Sequence, residues 1–226
     1  MSLTTGRGPL SARPAGRFTA PVPEGVAYVE PLRRRVRALK GADTVVDSER
    51  ALLVHRPGHS PSYALPEADV HGVPSEPDPD APGHVRVAWD AVDTWLEEDE
   101  PVIGHPRNPY HRVDSLRSHR RLRVEAAGIT LVDTDQTTAV FETALEPRLY
   151  VDPQFVRMDL LTQSDTHTYC PYKGTATYWT ARIGDAVLED VAWSYEEPLP
   201  ESTALGRLLS FDDSRVESHD DLPAAD

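Results

Sequence analysis

Tyr178-Trp179-Thr180-Ala181-Arg182-Ile183-Gly184-Asp185-Ala186-Val187-Leu188-Glu189-Asp190-Val191-Ala192-Trp193-Ser194-Tyr195 decides the fold class. Trp179, Ala181 and Ile183 alternate with Tyr178, Thr180 and Arg182, Gly184-Asp185 supplies a turn, and Val187, Glu189, Val191, Trp193 and Tyr195 return with the same period. A period of two on both arms gives a β-hairpin with one buried and one wet face. Upstream, Leu122-Arg123-Val124, Ile129-Thr130-Leu131-Val132, Thr138-Ala139-Val140-Phe141 and Arg148-Leu149-Tyr150-Val151 are short, rich in β-branched and aromatic residues, and bounded by turn formers. Residues 92–98 and 155–162 are the candidates for short helices, and 21 prolines leave little room for long ones. The expected fold is mainly β and antiparallel.

The strands upstream of the hairpin occur twice. Residues 34–70 lie over 120–156 without a gap at a spacing of 86, and nine of the 37 positions are identical: Arg34/Arg120, Arg35/Arg121, Arg37/Arg123, Thr44/Thr130, Val46/Val132, Asp47/Asp133, Val54/Val140, Pro61/Pro147 and Val70/Val156. Self-similarity at a fixed period points to repeated structural units. The pairing resumes as Ala91-Val92-Asp93 against Arg215-Val216-Glu217, where the spacing is 124, so the first copy is shorter by 38 residues. The deficit is expected across residues 170–193, replaced in the first copy by a proline- and acid-rich stretch over 72–83. This divides the chain into a flexible basic arm (1–29), a truncated first repeat (30–113), a complete second repeat (114–219) and an acidic tail (220–226). The shorter repeat has too little apolar surface to stand alone, so the two small antiparallel-sheet units are expected to pack together.

Composition excludes several classes. A formal net charge of −14 argues against nucleic acid as a partner, since phosphate contacts need a basic face. No segment approaches the roughly 18 apolar residues of a membrane helix, and the Gly-, Pro- and Arg-rich start has no signal-peptide core. One cysteine makes no internal disulfide, which suits a reducing cytoplasm. Nine histidines are scattered without metal-ligand spacing, and no phosphate-cradling glycine loop occurs, so neither metal nor cofactor is expected.

Chemistry concentrates in Thr168-Tyr169-Cys170-Pro171-Tyr172-Lys173-Gly174-Thr175, a loop-like string with a thiol, an amine and two phenols. Cys170 is a candidate nucleophile if His167 or Lys173 lowers its pKa, set against the ordinary role of a small buried hydrophobe. Lys173 is a candidate anion grip or imine-forming amine, set against an exposed turn lysine. Tyr172, Tyr178, Trp179, Trp193 and Tyr195 would build either core or an aromatic pocket wall. Asp159 and Asp165 are candidate acids or bases, though isolated aspartates more often serve turns, and Asp47 and Asp133 recur in both copies, as structural groups do.

The runs Arg157-Met158-Asp159-Leu160-Leu161, Cys170-Pro171-Tyr172-Lys173-Gly174-Thr175-Ala176-Thr177-Tyr178-Trp179, Ala192-Trp193-Ser194-Tyr195 and Pro198-Leu199-Pro200-Glu201 resemble the family catalogued as domain of unknown function 427. Arg35-Val36-Arg37, Val45-Val46-Asp47-Ser48 and Trp89-Asp90-Ala91-Val92-Asp93-Thr94-Trp95 resemble its tandem members, so the resemblance covers roughly residues 30–219. It implies a β-tent-like architecture, in which some proteins bind zinc through paired cysteines and others hold small ligands in an aromatic pocket. This chain has no Cys-x-x-Cys pair, which removes a four-cysteine zinc site. The family's label of nucleotidyl transfer finds no matching glycine loop or paired-carboxylate signature here.

The expected function is therefore small-molecule binding, with catalysis by Cys170 and Lys173 as its enzymatic version. The site is one aromatic-lined, anion-accepting pocket per chain, built from Tyr169, Cys170, Tyr172, Lys173, Trp179, Trp193 and Tyr195. The alternative is a structural or protein-interaction module in which the same block is fold core.

Overall fold

The structure, a computed structural model, describes residues 3–222. The chain divides into two compact units, Met1–His111 and Arg112–Asp226. Both are mainly antiparallel β, and every helical segment among the described residues is a short 3-10 turn. Among the described residues no helix is long and apolar enough to cross a membrane. Of the acidic tail, residues 223–226 lie outside the described residues.

The first unit contains β1 (Tyr28–Pro31), β2 (Val36–Lys40), β3 (Asp43–Ser48), β4 (Leu52–His55), β5 (Ser62–Pro66), β6 (Glu76–Pro77), β7 (His84–Arg86), β8 (Thr94–Glu97) and β9 (Glu100–Val102). They form two sheets, β1-β4-β5-β7-β6 and β3-β2-β8-β9. Val36, Ala38, Val46, Leu53 and Leu65 are completely buried between them. The N-terminal segment is tied to this unit, because Thr4 is buried, donates its hydroxyl to the His59 carbonyl at 2.9 Å and accepts from the Gly58 amide at 2.9 Å.

The second unit contains β10 (Val113–Ser118), β11 (Leu122–Ala126), β12 (Ile129–Thr134), β13 (Thr137–Glu142), β14 (Arg148–Val151), β15 (Leu161–Cys170), β16 (Gly174–Ile183), β17 (Ala186–Ser194), β18 (Leu209–Phe211) and β19 (Glu217–Asp220). A seven-stranded sheet runs β10-β13-β14-β18-β17-β16-β15, and a three-stranded one runs β12-β11-β19. One face of the large sheet sends Ala139, Leu149, Val151, Leu209, Phe211, Ala192 and Ala181 into a core shared with Val124, Leu131 and Val132 of the small sheet. Neighbouring residues on a strand point oppositely, so Val140, Tyr150 and Ala176 face the other way and join Tyr195 and Leu205 in a second cluster.

Backbone details recur at the spacing of 86. The pairs Tyr28↔His55, Arg37↔Asp47 and Val46↔Val70 of the first unit reappear as Asp114↔Phe141, Arg123↔Asp133 and Val132↔Val156. A β-bulge follows Ala38 in β2 and Val124 in β11. Gly41 and Gly58 have φ of 59° and 77°, and at the matching positions Ala127 and Ala144 have 46° and 66°, so the backbone conformation recurs where the glycine does not. In the first unit β5 is followed in the sheet by β7 and the two-residue stub β6. In the second, β14 is followed by β18 and the long strands β17, β16 and β15, with a further segment over 195–208 that carries the 3-10 turn Pro200–Leu205.

Of the two short-helix expectations, 92–98 fails and 155–162 holds a single 3-10 turn. In residues 92–98 the helical turn is Trp89–Ala91, just before the segment, and Thr94–Glu97 is β8, where Trp95 and Glu97 alternate inward against β2. In 155–162 that turn is Met158–Leu160, which follows the turn Pro153–Phe155 and precedes β15. The string around Cys170 is not a free loop, since it comprises the end of β15, a tight turn and the start of β16. The expected hairpin is β16–β17, with a register shift between Trp179 and Ala181. On the return arm Asp190 has φ 51°, and beside it Val191 joins the larger core, while Trp193 packs with the second cluster.

Candidate functional site

The second face of the seven-stranded sheet carries a cavity of about 470 Å³. Cross-strand register gathers its walls: Val140 lies opposite Arg148, and Tyr178 opposite Trp193. Residues directly opposed on antiparallel strands share a face, and Glu142 and Tyr150 are two positions along from Val140 and Arg148. Lys173 enters from the β15–β16 turn, Tyr195 lies just beyond β17, and Asp212 just beyond β18.

The turn that delivers Lys173 is locked by its surroundings. Gly174 has φ +97°, a conformation L side chains rarely adopt, and a Cβ there would sit 3.5 Å from the Glu197 carbonyl oxygen and the Leu199 amide. The Lys173 carbonyl accepts from the Leu199 amide at 3.1 Å, and the Ser202 hydroxyl donates to the Tyr172 carbonyl at 3.0 Å. The segment beginning Pro198-Leu199-Pro200 thus clamps the turn and directs the lysine inward.

Lys173 is buried and its ammonium is ion-paired with Glu142, whose side chain is also buried. The ammonium lies 5.7 Å from the centroid of the Tyr195 ring, within the range of a cation–π contact. Tyr150, 2% exposed, accepts a hydrogen bond from the Trp193 indole at 3.0 Å, with the two rings edge-to-face. Arg148 covers the other aromatic wall, its guanidinium 5.1 Å from the Trp193 ring centroid, and donates to the Phe211 carbonyl at 3.1 Å and Asp213 at 3.2 Å.

Burial pulls the Lys173 pKa down, but Tyr150, Glu142 and Cys170 outweigh it and the net direction is up. The amine is therefore charged at neutral pH, which disfavours its use for imine formation. Burial is the largest cause raising the Tyr150 and Tyr195 phenols, and both stay protonated as hydrogen-bond donors. Tyr63 in the first unit is raised mainly by burial too, and donates to Glu97 at 2.8 Å. All four groups act in one direction on stability. Each holds its proton more tightly folded than unfolded, so the contribution is complete below the unfolded pKa of about 10 and lost as pH rises through the folded values. Thermal unfolding should show a melting temperature insensitive to these groups between pH 7 and 9 and a steep fall above about pH 10.

Of the residues expected to form the site, Lys173, Trp193 and Tyr195 line the cavity. Cys170 is half-buried against the cluster beneath it. His167, three positions away along the same strand, points to the opposite side of β15 and is poorly placed to serve as a base for the thiol. Tyr172 is buried and Tyr169 half-buried, neither on the cavity wall. Trp179 belongs to the other face, where its indole donates to Ser194 at 2.9 Å. Sequence reasoning missed Glu142, Arg148, Tyr150 and Asp212, and left Tyr178 outside the final set. The alternation of Val140 with Glu142 and of Arg148 with Tyr150 was visible, but only strand register brings it to Lys173.

Asp159 pairs with Arg157 at 2.7 Å on the surface, away from the cavity, and Asp165 is exposed. Asp47 and Asp133 each make a two-pronged contact with the arginine twelve positions earlier, Arg35 and Arg121. Glu125, Glu217 and His219 bring ligand atoms within 4.8 Å of one another on the small sheet. Glu125 is already held there by Arg123 at 2.6 Å and Thr130 at 3.1 Å.

The matching positions of the first unit carry different chemistry. Arg56 stands for Glu142, Ser62 for Arg148 and Ala64 for Tyr150, and Arg56 is bound to Asp78 and Asp80 at 2.6 Å each and to Ser62 at 2.8 Å. Comparison with curated proteins gives no match. The cavity and all the residues that line it fall within residues 114–221, the segment that matches the family described as a domain of unknown function, DUF427.

Proposed function

We propose that the second unit is a small-molecule-binding domain whose site is the cavity above Lys173 and Glu142. The buried ion pair carries the reading. Taking two charges out of water is costly and a well-packed apolar pair often does as well for stability, whereas a buried pair opening onto an aromatic-walled cavity offers fixed polar groups to a ligand. The ammonium has protons beyond the one directed at Glu142, and Tyr150 and Tyr195 add phenolic donors. Three carboxylates, Glu142, Glu146 and Asp212, stand against two cations, Lys173 and Arg148, along the wall. The site therefore suits a flat molecule that presents a carbonyl or carboxylate to Lys173 while its ring meets Trp193, more than a highly charged anion. Cys170 contributes to the packing beneath rather than to attack.

The recurrence of register, bulge and positive φ at a spacing of 86 supports descent of the two units from one duplicated ancestor, with the first a shortened copy that lacks β15, β16 and most of β17. This gives one such site per chain. The single unpaired cysteine supports a cytoplasmic setting.

The test is a thermal-shift screen of aromatic and keto acids on the wild-type chain and on Lys173→Met/Glu142→Leu, which removes both charges together. A true ligand stabilises by mass action, about 2.7 kcal/mol at a hundred times its Kd. The expected result is a shift in the wild type that the double variant lacks, and equal shifts in the two proteins would remove the ion pair from the binding site.

A further inference from the structure

The first unit has a cavity of its own, about 320 Å³, formed by the β4–β5 connection, the end of β7, β8 and the residues after β9. It differs in chemistry from the one above. Two arginines, Arg56 and Arg86, and two histidines, His59 and His105, line it, and no carboxylate does. The acids that balance the arginines, Asp78, Asp80 and Glu76, stand behind them. In a chain of net charge −14 such a wall runs against the overall composition.

The other wall is aromatic. Trp89 stacks on Trp95 with centroids 5.3 Å apart and planes 20° from parallel, and on Tyr63 at 6.2 Å and 25°. Tyr63 and Trp95 are buried, at 4% and 3% exposure, while Trp89 is only partly covered and forms the outer layer of the stack. The Trp95 indole is committed to the Trp89 carbonyl at 3.1 Å, which holds the stack together. Arg56 is fixed by Asp78, Asp80 and Ser62. Arg86 has its guanidinium 3.1 Å from Glu76 on the surface, an exposed pair of the kind that is easily exchanged for another anion. Burial lowers the His105 pKa, which leaves Arg56 and Arg86 as the permanent cations of the wall.

We infer that this cavity is a second ligand site, taking a small planar aromatic anion whose ring lies against Trp89 and whose carboxylate or phosphate is held by Arg86 beside Arg56. A ring face and a cation at the same cavity favour a ligand that carries both partners over one that carries either alone: guanidinium binds both carboxylate and phosphate through paired donors, and stacking on an indole accepts any flat ring. The site lies outside residues 114–221, in a unit whose positions equivalent to Lys173, Glu142 and Tyr150 are absent or replaced.

Isothermal titration calorimetry of the full chain tests it, with benzoate and adenosine 5′-monophosphate as the two sources of a ring-borne anion and inorganic phosphate as the ring-free control. Saturable binding of either aromatic probe is expected, at least tenfold tighter than inorganic phosphate, and which probe binds identifies carboxylate or phosphate as the anion. Arg86→Ala, a surface change, should weaken it at least tenfold. Trp89→Leu should do the same while Trp89→Phe, which keeps a ring face and guards against misfolding, retains it. Binding that survives both Arg86→Ala and Trp89→Leu, that is lost instead in Trp193→Phe of the other cavity, or that inorganic phosphate matches overturns the inference, as does no saturable heat from either aromatic probe at millimolar concentration.

Discussion

Replacing Lys173 by methionine is expected to destabilise the protein by about 3–5 kcal/mol, because it strands the Glu142 carboxylate in a buried site with its partner gone. The side chains of both residues are only about a tenth exposed, at 11% and 9%, so water from the cavity replaces the ammonium only in part. Glu142→Leu made on top of it removes the stranded charge and should return most of the lost stability. Urea unfolding of wild type, single and double variants measures this, and the difference between single and double isolates the cost of an unpaired buried charge from the value of the pair. A single variant as stable as wild type would mean that Glu142 is hydrated or turns outward, and the cavity floor would have to be redrawn. If the double variant is stable yet no longer shifts with ligand, stability and binding at this site are separable, as expected of a pair retained for what it binds.

Leu209→Ala should cost about 2–5 kcal/mol. Leu209 is 1% exposed and sits in a strand of three residues that joins β14 to β17, opposite Val151 on one side and Ser194 on the other. Truncation there removes contacts from the larger core at the seam of the sheet, where neighbours on both sides are held by hydrogen bonds and can close only part of the space left. Val187→Ala on the same sheet is the control: half exposed, it should change stability by no more than about 0.5 kcal/mol. Similar losses at both positions would argue that the seam relaxes around the smaller side chain.

The parts of this fold legible in the sequence are those with a one-sided pattern. Trp179, Ala181 and Ile183 alternate with polar neighbours because one face of β16 is buried, and the hairpin could be read from that alone. The recurrence over residues 34–70 and 120–156 was visible because arginine, aspartate and valine occupy matching positions. β15 was invisible for the opposite reason. Thr162, Gln163, Asp165, Thr166, His167 and Thr168 are all exposed, so neither face carries an apolar signal, and the strand exists through its pairing with β16. Lys173 was found because it stands in a chemically dense string next to a glycine. Its partner Glu142 lies 31 positions away at the end of an ordinary strand, and no local feature distinguishes it from a surface glutamate. Register across the sheet is the missing information, and it is set by the whole arrangement of strands rather than by any one of them.

The polar character of β15 has a consequence for how the molecule behaves in company. This strand of ten residues is the outermost of the seven-stranded sheet, and its outer edge presents backbone groups on which another chain could grow. A flat apolar border of that length would recruit copies of itself in a crowded solution. Here the register shift between Gln163 and His167 breaks the run of regular pairing midway, and Asp165 stands beside it with its charge in water. The residues that deprived the strand of any sign in the sequence are the ones that make its border a poor template for a further strand.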